Sequence, residues 1–415
     1  MAPRPLRSLL LVLSLGAAVV APAAAAQVRE PQGVVTVPGG ADLELSAELR
    51  LRAERRDAVP PVAGAPDESV NSARLRLGFL TRFGDSLSAF AQVQGVVANQ
   101  GFDSEVDLHQ AWLDFADLGD VVDLRAGRME LDYGSGLMVS PYDWSPTGNA
   151  WDGLRARVGF GGAERPTWTL DAFWTRAVEG QAVPDGMPQT FGGVWVTVPR
   201  DPFDVDAYLL VRDQSDQPFG GLSDRTFGAR LSDPDARLPW EVEAALQTGE
   251  HGALDAGGWL AHGRLAGPLG DDLVLGGTVL WASGDGDPLD GDDGAFVPLF
   301  PDVHRWLGPQ DLFVPSNVLD LAVDLTWALD PRWDLVVEGH WMRLADEAGG
   351  IPTVDGSLTA TGTDSGLGTI FAASLRGPLM DALDLEFGLA TFAAGDAVAN
   401  GDGQLWAYAQ LVADV

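Results

Sequence analysis

Period-two alternation of apolar and polar residues constrains this chain more than any other feature. In the stretch DLELSAELRLRAE, from Asp42 to Glu54, leucine or alanine occupies every second position, and charged or hydroxyl side chains lie between. Successive side chains point to opposite faces of a strand but spread around a helix, so only a strand keeps these two sets apart. The pattern recurs in about 18 segments of about ten residues, such as SARLRLGFLTRF and TWTLDAFWTR. The chain is therefore predicted to be all-β.

The connections between these segments alternate between short and long. The longest loop, from Ser283 to Ser316, is rich in Gly, Asp and Pro, whereas other connections are tight turns such as FGDS (Phe83–Ser86) and LDPRW (Leu329–Trp333). Short turns at one end and long loops at the other are typical of outer-membrane β-barrels, and closure removes the exposed edges of a long antiparallel sheet. We predict a single transmembrane antiparallel β-barrel of about 18 strands, with short periplasmic turns and long extracellular loops.

Tryptophan spacing supports a membrane-spanning wall. Trp333 and Trp341 share one face of a predicted strand, eight residues apart. That spacing is roughly 26 Å along a strand, or about 20 Å of membrane normal at a tilt of ~40°, close to the expected separation of two aromatic girdles. Trp168 and Trp174 also bracket a strand on one face. The alternative is core packing in a soluble sandwich, which about 18 long strands with unequal loops fit poorly.

The composition excludes several classes of protein. The chain has 60 acidic and 26 basic residues, a formal net charge of −34, and no cysteine. So acidic a chain should not bind nucleic acid through its general field, and disulfides, thiolate catalysis and Cys-ligated metals are excluded. A lipid-facing wall cannot carry these carboxylates, because each charge at mid-bilayer costs ~2–4 kcal/mol. We expect them in loops and on the inner face of a barrel wide enough to hold water.

The N-terminal segment predicts export. Arg4 and Arg7 precede the apolar run Leu9–Val20, and Ala21–Gln27 offers an Ala-x-Ala cleavage site. These features are typical of a secretory signal peptide, with an uncleaved anchor helix as the alternative. We predict a signal peptide over residues 1–26, a Gly- and Pro-rich periplasmic lead-in over 27–41 and a barrel in the cell outer membrane over 42–415.

Five stretches of the chain are specific when taken together. They are LHQAWLDF (Leu108–Phe115), LRAGRMELDYGSG (Leu124–Gly136), WSPTGNAWDGLRARVGF (Trp144–Phe160), ASGDGDPLDGDDGAFVPLFPDVHRWLG (Ala282–Gly308) and GDGQLWAYAQL (Gly401–Leu411). In order and spacing they resemble the alginate export family of outer-membrane barrels, over nearly the whole mature chain. The resemblance implies a barrel of about 18 strands that conducts an anionic polysaccharide through an Arg-lined pore. The chain departs from that pattern at Leu137 and Asn149, where basic residues are usual.

Seven arginines are the candidate pore-lining and substrate-binding residues. They are Arg50, Arg52, Arg74, Arg76, Arg125, Arg155 and Arg157, each opposite the lipid-facing Leu, Ala or Val of its strand. The resemblance places these early strands next to one another, which predicts a basic stripe. The planar guanidinium pairs bidentately with carboxylates and stays charged, which suits an acidic polysaccharide. Alternatively, these arginines neutralise carboxylates of the wall, namely Glu44, Glu48, Glu54, Asp114 and Asp123.

An acidic stretch within the longest loop is the candidate metal site. It contains Asp285, Asp287, Asp290, Asp292 and Asp293. Carboxylate oxygens are hard ligands that suit calcium, so an extracellular calcium site is one hypothesis. The spacing is not that of an EF-hand, because Pro288 and Leu289 interrupt it and no Glu closes the loop. The other hypothesis is a solvated tip on a mobile extracellular loop that acts as a partial lid.

The sequence shows no enzyme signature. The histidines have no metal-ligand spacing, and Ser135 lacks the G-x-S-x-G frame of a nucleophile elbow. Three hypotheses of function follow: an export channel for an anionic polysaccharide, a passive anion-preferring porin for small solutes, and a structural or adhesive barrel. We expect a monomer without cofactor, apart from the calcium hypothesis. Its expected partners are the lipid bilayer, the anionic polymer or small anions, and a periplasmic export complex, but no nucleic acid.

Overall fold

The described residues form 21 strands and one short helix. The computed structural model describes residues 33–37, 41–99, 105–119, 121–161, 166–178, 189–200, 202–214, 221–354 and 356–415. In chain order the strands are β1 (Gly33–Val37), β2 (Ala41–Arg56), β3 (Glu68–Phe83), β4 (Leu87–Ala98), β5 (Glu105–Leu118), β6 (Val122–Met129), β7 (Trp151–Gly161), β8 (Pro166–Ala177), β9 (Thr190–Val198), β10 (Asp204–Asp213), β11 (Leu222–Asp233), β12 (Trp240–His251), β13 (Leu254–Ala256), β14 (Trp259–Pro268), β15 (Leu273–Ala282), β16 (Asp292–Asp293), β17 (Val318–Asp330), β18 (Trp333–Leu344), β19 (Gly366–Met380), β20 (Leu383–Ala394) and β21 (Gly403–Asp414). The helix α1 (Val303–Trp306) lies between β16 and β17.

Eighteen of the 21 strands, all but the short β1, β13 and β16, form a closed antiparallel barrel. Each barrel strand pairs with the next one along the chain, and β2 closes the sheet against β21 from Glu48↔Asp414 to Arg56↔Trp406. Tight turns such as 84–86, 331–332 and 381–382 lie at one end, and long loops lie at the other. The predicted fold class, strand number and distribution of loops are confirmed.

The lead-in contains a strand that the sequence patterning does not predict. β1 pairs antiparallel with the beginning of β2, from Gly33↔Leu45 to Val37↔Ala41. It therefore lies against the part of β2 that precedes the pairing with β21. The predicted signal peptide, residues 1–26, and the rest of the lead-in up to residue 40 lie outside the described residues.

The period-two alternation separates a lipid-facing surface from the barrel interior. Leu49 and Leu51 are 41% and 42% exposed on the outer face, whereas Arg50 between them is 5% exposed. Aromatic side chains lie on the same outer face, with Trp174 at 61% and Trp341 at 44% exposure. The exposed apolar surface is thus a belt around the barrel, as a bilayer requires. Among the described residues, no helix has the length and apolar character needed to cross a membrane.

The largest apolar cluster lies inside the barrel, where two long connections fold inward. These are the inner loop (residues 130–150) and the long loop (residues 283–317). The backbone of Phe300 accepts a hydrogen bond from Ser140 N (2.9 Å) and donates one to Met138 O (3.0 Å), which joins the two loops. Their buried members include Leu131, Leu137, Met138, Val139, Phe296, Phe300, Trp306, Leu307 and Phe313. The expectation that the whole long loop is a mobile lid is therefore wrong, because its second half is packed in the lumen.

Candidate functional site: the arginines inside the barrel

The seven predicted arginines lie on the inner face but not in one stripe. Arg74 is 2% exposed, while its neighbour Leu75 is 43% exposed on the lipid side, and the same parity holds along each strand. Four of the seven lie on β2 and β3 and three on β6 and β7. Because β4 and β5 separate these pairs of strands, the structure divides the predicted stripe into two groups.

The first group binds the inner loop instead of open lumen. We call this group, Arg50, Arg52, Arg74 and Arg76, the arginine cradle. Nη1 of Arg50 donates to the carbonyl oxygen of Asp143 (2.5 Å), and its Nη2 donates to that of Ser145 (2.6 Å). Nη2 of Arg52 donates to the carbonyl oxygen of Trp144 (2.7 Å). Consecutive backbone carbonyls of the loop thus satisfy guanidinium donors that would otherwise be buried without partners.

The carboxylate of Asp143 is bound by three cradle arginines. Its Oδ1 lies 2.7 Å from Nη1 of Arg76 and 2.9 Å from Nη2 of Arg74, and its Oδ2 lies 3.8 Å from Nη1 of Arg50. The position of Asp143 deep inside the barrel, away from bulk water, would by itself raise the pKa of its carboxyl, but these three cations outweigh that effect and hold the pKa well below its usual value. Asp143 is therefore a permanent carboxylate in the cradle.

Glycine allows the inner loop to approach the cradle closely. Gly148 has φ = 72°, and a Cβ built there would lie 2.9 Å from Nη2 of Arg76. Both the left-handed backbone and the lack of space favour glycine at this position.

Like charges face each other across the strands on this side of the barrel. Arg50 lies directly opposite Arg74 in the register of β2 and β3, and Arg125 lies opposite Arg155 in that of β6 and β7. Such pairs are destabilising unless anions compensate them. For the first pair the compensation comes mainly from Asp143 and from Glu48, whose Oε1 lies 2.7 Å from Nη2 of Arg74.

The second group shares two carboxylates. Nη2 of Arg125 lies 2.5 Å from Oδ2 of Asp114, and Asp171 accepts from Nε of both Arg155 (2.6 Å) and Arg157 (2.9 Å). In this group three guanidinium groups are thus paired with two carboxylates. The Arg157 side chain is 51% exposed, so it presents charge to the lumen.

The opposite side of the interior is organised differently. We call β2–β8 the first wall and β10–β20 the second wall. On the second wall arginines face carboxylates across the strands, in the register pairs Asp206↔Arg230, Arg212↔Asp224, Arg230↔Glu243, Glu241↔Arg264, Asp334↔Arg376 and Arg376↔Glu386. Opposite charges at facing positions stabilise a sheet, so these pairs stabilise the second wall.

Helix α1 joins the long loop to the inner loop. His304 stacks on Trp144 with ring centroids 3.7 Å apart and planes 13° apart, while the guanidinium carbon of Arg52 lies 3.6 Å from the same Trp144 ring. Both groups are nearly in contact with the ring, so they occupy its two faces. Burial lowers the pKa of His304, but Asp311, whose Oδ1 lies 3.2 Å from Nδ1, and Asp302 outweigh it and raise the pKa above its ordinary value.

The comparison with known families agrees with this architecture. The model of the alginate export family matches residues 41–411, nearly the whole barrel. The chain belongs to the alginate export family. No curated protein matches it. As a member of this family, the protein is an outer-membrane β-barrel.

Solved outer-membrane barrels share the fold at low sequence identity. OccK5 (OpdH) of Pseudomonas aeruginosa has a TM-score of 0.61 and 11% identity, over 90% of this chain and 98% of that chain. The outer membrane protein OprD of the same organism has a TM-score of 0.61 and 12% identity, over 90% and 94%. OpdO has a TM-score of 0.60 and 15% identity, over 90% and 97%. At these identities the likeness shows the fold alone.

The five aspartates of the long loop mainly cap turns of their own backbone. Oδ1 of Asp285 accepts from Asp287 N (3.3 Å), and Oδ1 of Asp290 accepts from Asp292 N (2.9 Å). Oδ2 of Asp293 points elsewhere, 2.7 Å from Nδ1 of His251. In the described part of the chain no three His, Asp or Glu side chains are grouped to hold a metal ion, so the calcium hypothesis has no preformed site here.

Sequence reasoning missed the residues that occupy the cradle. Asp143 and Trp144 lie in a connection, where periodicity carries no information about direction, so their inward position was not foreseen. One signal was available: the long loop carries Phe296, Phe300 and Trp306, which are unusual for a solvated loop. Large apolar residues in a connection indicate that it packs against something.

Proposed function

We propose that this family member is an outer-membrane channel for carboxylate-bearing carbohydrate, an anionic polysaccharide or its fragments, and that the solute follows the first wall. The observation that carries the proposal is the pair of like-charge registers, Arg50↔Arg74 and Arg125↔Arg155, on the inner face. Such pairs destabilise a sheet by themselves and are compensated here by carboxylates of the protein, so the guanidinium groups of this wall are arranged to bind carboxylates. The family match supports transport of an acidic polymer.

The polymer that we propose is acidic in general and not alginate in particular. The resemblance to the alginate export family leads one to expect basic residues near positions 137 and 149. Position 137 is instead a leucine that is 1% exposed in the apolar cluster. Asn149 is 8% exposed and donates through Nδ2 to the carbonyl oxygen of Ser140 (3.1 Å). Both positions thus support the inner loop instead of offering charge to a solute.

A passive anion-preferring porin is the second candidate. The observation that favours it is the pair of inward loops, which narrow the lumen that a polymer would have to pass. Gln247 fastens the long loop by donating through Nε2 to Val297 O (2.9 Å) and accepting at Oε1 from Val297 N (2.9 Å).

Conductance in a planar bilayer tests both candidates. We expect a reversal potential under a KCl gradient that shows anion preference despite the net charge of −34. Charges on the loop tips are screened beyond a Debye length of about 8 Å, whereas the low-dielectric wall focuses the field of the nearest arginines. Trigalacturonate should block the current and maltotriose should not. A preference for cations would overturn the proposal. If trigalacturonate crosses the membrane of vesicles that contain the protein but longer polygalacturonate does not, the protein is a porin for small solutes and not a channel for the polymer.

A further inference from the structure

The arginine cradle and its contents have the form of a binding site that is already filled. The four arginine side chains are 2–8% exposed, whereas the Asp143 side chain above them is 44% exposed. The charged floor is therefore covered, and the anion that covers it is open to solvent.

The groups that the inner loop places in the cradle match those of an acidic sugar. They are one carboxylate, from Asp143, and the carbonyl oxygens of Asp143, Trp144 and Ser145. An uronate offers the same set, a carboxylate next to neutral oxygen acceptors. Guanidinium groups bind such a set through their planar forks, so they do not distinguish the loop from the sugar by chemistry.

We propose that Asp143 is a built-in carboxylate ligand of the arginine cradle, and that the carboxylate of an incoming acidic sugar displaces it. The proposal deepens the proposed function, on which it rests, by naming how the solute opens its own site. An internal ligand lowers the apparent affinity for a competing one, since only molecules with an empty cradle bind the solute. The solute would therefore bind weakly at rest and release the inner loop when it binds.

The release would pass to the long loop through Trp144. The Trp144 ring lies between Arg52 and His304. The backbone carbonyl oxygen of Trp144, which follows Asp143 in the chain, accepts a hydrogen bond from Arg52. Displacing Asp143 thus loosens the contact on which α1 rests. The inner loop and the long loop would then move away from the arginine cradle together.

Binding of trigalacturonate to purified full-length protein tests the displacement. Asp143→Asn should bind it about tenfold more tightly than the unmodified protein, because the internal competitor has lost its charge. Asp143→Glu, which keeps the carboxylate, should remain close to the unmodified protein. Asp152→Asn is the matched control, because Asp152 pairs with Arg128 at the exposed rim and not with the cradle. Equal affinity in Asp143→Asn and the unmodified protein would overturn the proposal.

A labelling experiment tests release of the loop without relying on transport. The chain has no cysteine, so a single Ser135→Cys change gives one thiol, at a position 5% exposed in the inner loop. Maleimide should react severalfold faster in the presence of trigalacturonate but not of maltotriose, and should react fast without ligand when Asp143→Asn is added. One rate under all conditions would refute displacement. Labelling that responds while bilayers show no current would instead refute the channel and leave the displacement standing.

Discussion

The two walls of the barrel interior use the same residue types, but only the first wall has arginines that face arginines among the described strand pairs. On the first wall Arg50 faces Arg74 and Arg125 faces Arg155, and a loop carboxylate and shared aspartates compensate them. On the second wall arginines face carboxylates, as in Arg212↔Asp224. Facing opposite charges compensate each other directly, whereas facing like charges need further anions, which come here from the inner loop and from neighbouring strands. The difference leaves guanidinium groups next to one another on the first wall and next to carboxylates on the second.

Among the changes considered, a substitution on the second wall should cause the largest loss of stability. Arg212→Ala should lower the free energy of unfolding by about 3–5 kcal/mol, because Asp224 would remain buried without its guanidinium partner and the carbonyl oxygen of Pro298 would lose its donor. The two side chains are 4% and 0% exposed. The measurement is the urea midpoint in detergent, or the temperature at which the unboiled band changes its mobility on a gel. The double change Arg212→Met with Asp224→Leu should recover the part of the loss that comes from the Asp224 carboxylate, and the remainder should come from the lost bond to Pro298.

Arg50→Met, on the first wall, should destabilise less. It removes donors from the carbonyls of Asp143 and Ser145 but also relieves the facing Arg74. We expect a loss of about 1–2 kcal/mol, measured as for Arg212→Ala. Equal losses at Arg50 and Arg212 would remove the distinction between the walls.

Most of the barrel was predictable from the sequence, for one physical reason. In a closed sheet between lipid and water every residue has one of two environments, so parity alone separates Leu49 from Arg50. The same parity puts the seven arginines on the face opposite the Leu, Ala and Val side chains of their strands. Strand β1 was missed because its sequence, GVVTV, has no alternation to read.

The contents of the lumen were not predictable in the same way. Where a connection folds depends on contacts between residues distant in sequence, such as Arg52 with Trp144 and Trp144 with His304. The alternation of apolar and polar residues within a segment gives no information about these contacts. The sequence therefore identified arginines that face inward but not the loop that covers four of them.

Ion selectivity should respond more to the first wall than to the outer surface. Arg157→Ala should lower the anion-to-cation permeability ratio about two- to threefold, since the half-exposed guanidinium contributes to the focused field of the lumen. Arg128→Ala is the matched control, because Arg128 pairs with Asp152 outside the lumen. The readout is the reversal potential in a salt gradient. A larger effect at Arg128 would place the selective charges elsewhere.

The contact between α1 and Trp144 should weaken as pH rises. The folded-state pKa of His304 lies above the ordinary value of ~6.5, so protonated His304 adds stability that is complete below that value. The contribution is lost as pH rises through the folded pKa, when the imidazole beside Asp311 loses its charge. Protease cleavage of the long loop should therefore increase above neutral pH. In His304→Gln the increase should be absent, and an unchanged pH profile in that variant would exclude His304 as its origin.

The smallest effect should come from the acidic tip, although it holds the densest charge in the chain. Asp287 and Asp290 are exposed, and their carboxylates cap turns instead of facing the lumen. A charge in the outer solution is screened within about 8 Å at physiological salt, whereas the half-exposed Arg157 lies on the inner face of the barrel. Asp287→Asn with Asp290→Asn should therefore leave the reversal potential unchanged, although it removes twice the charge of Arg157→Ala. A shift equal to that of Arg157→Ala would show that net charge, and not its position, sets selectivity. Should calcium shift the potential of the unmodified protein but not of this double variant, the tip would bind calcium and the walls would not be the only charges that matter.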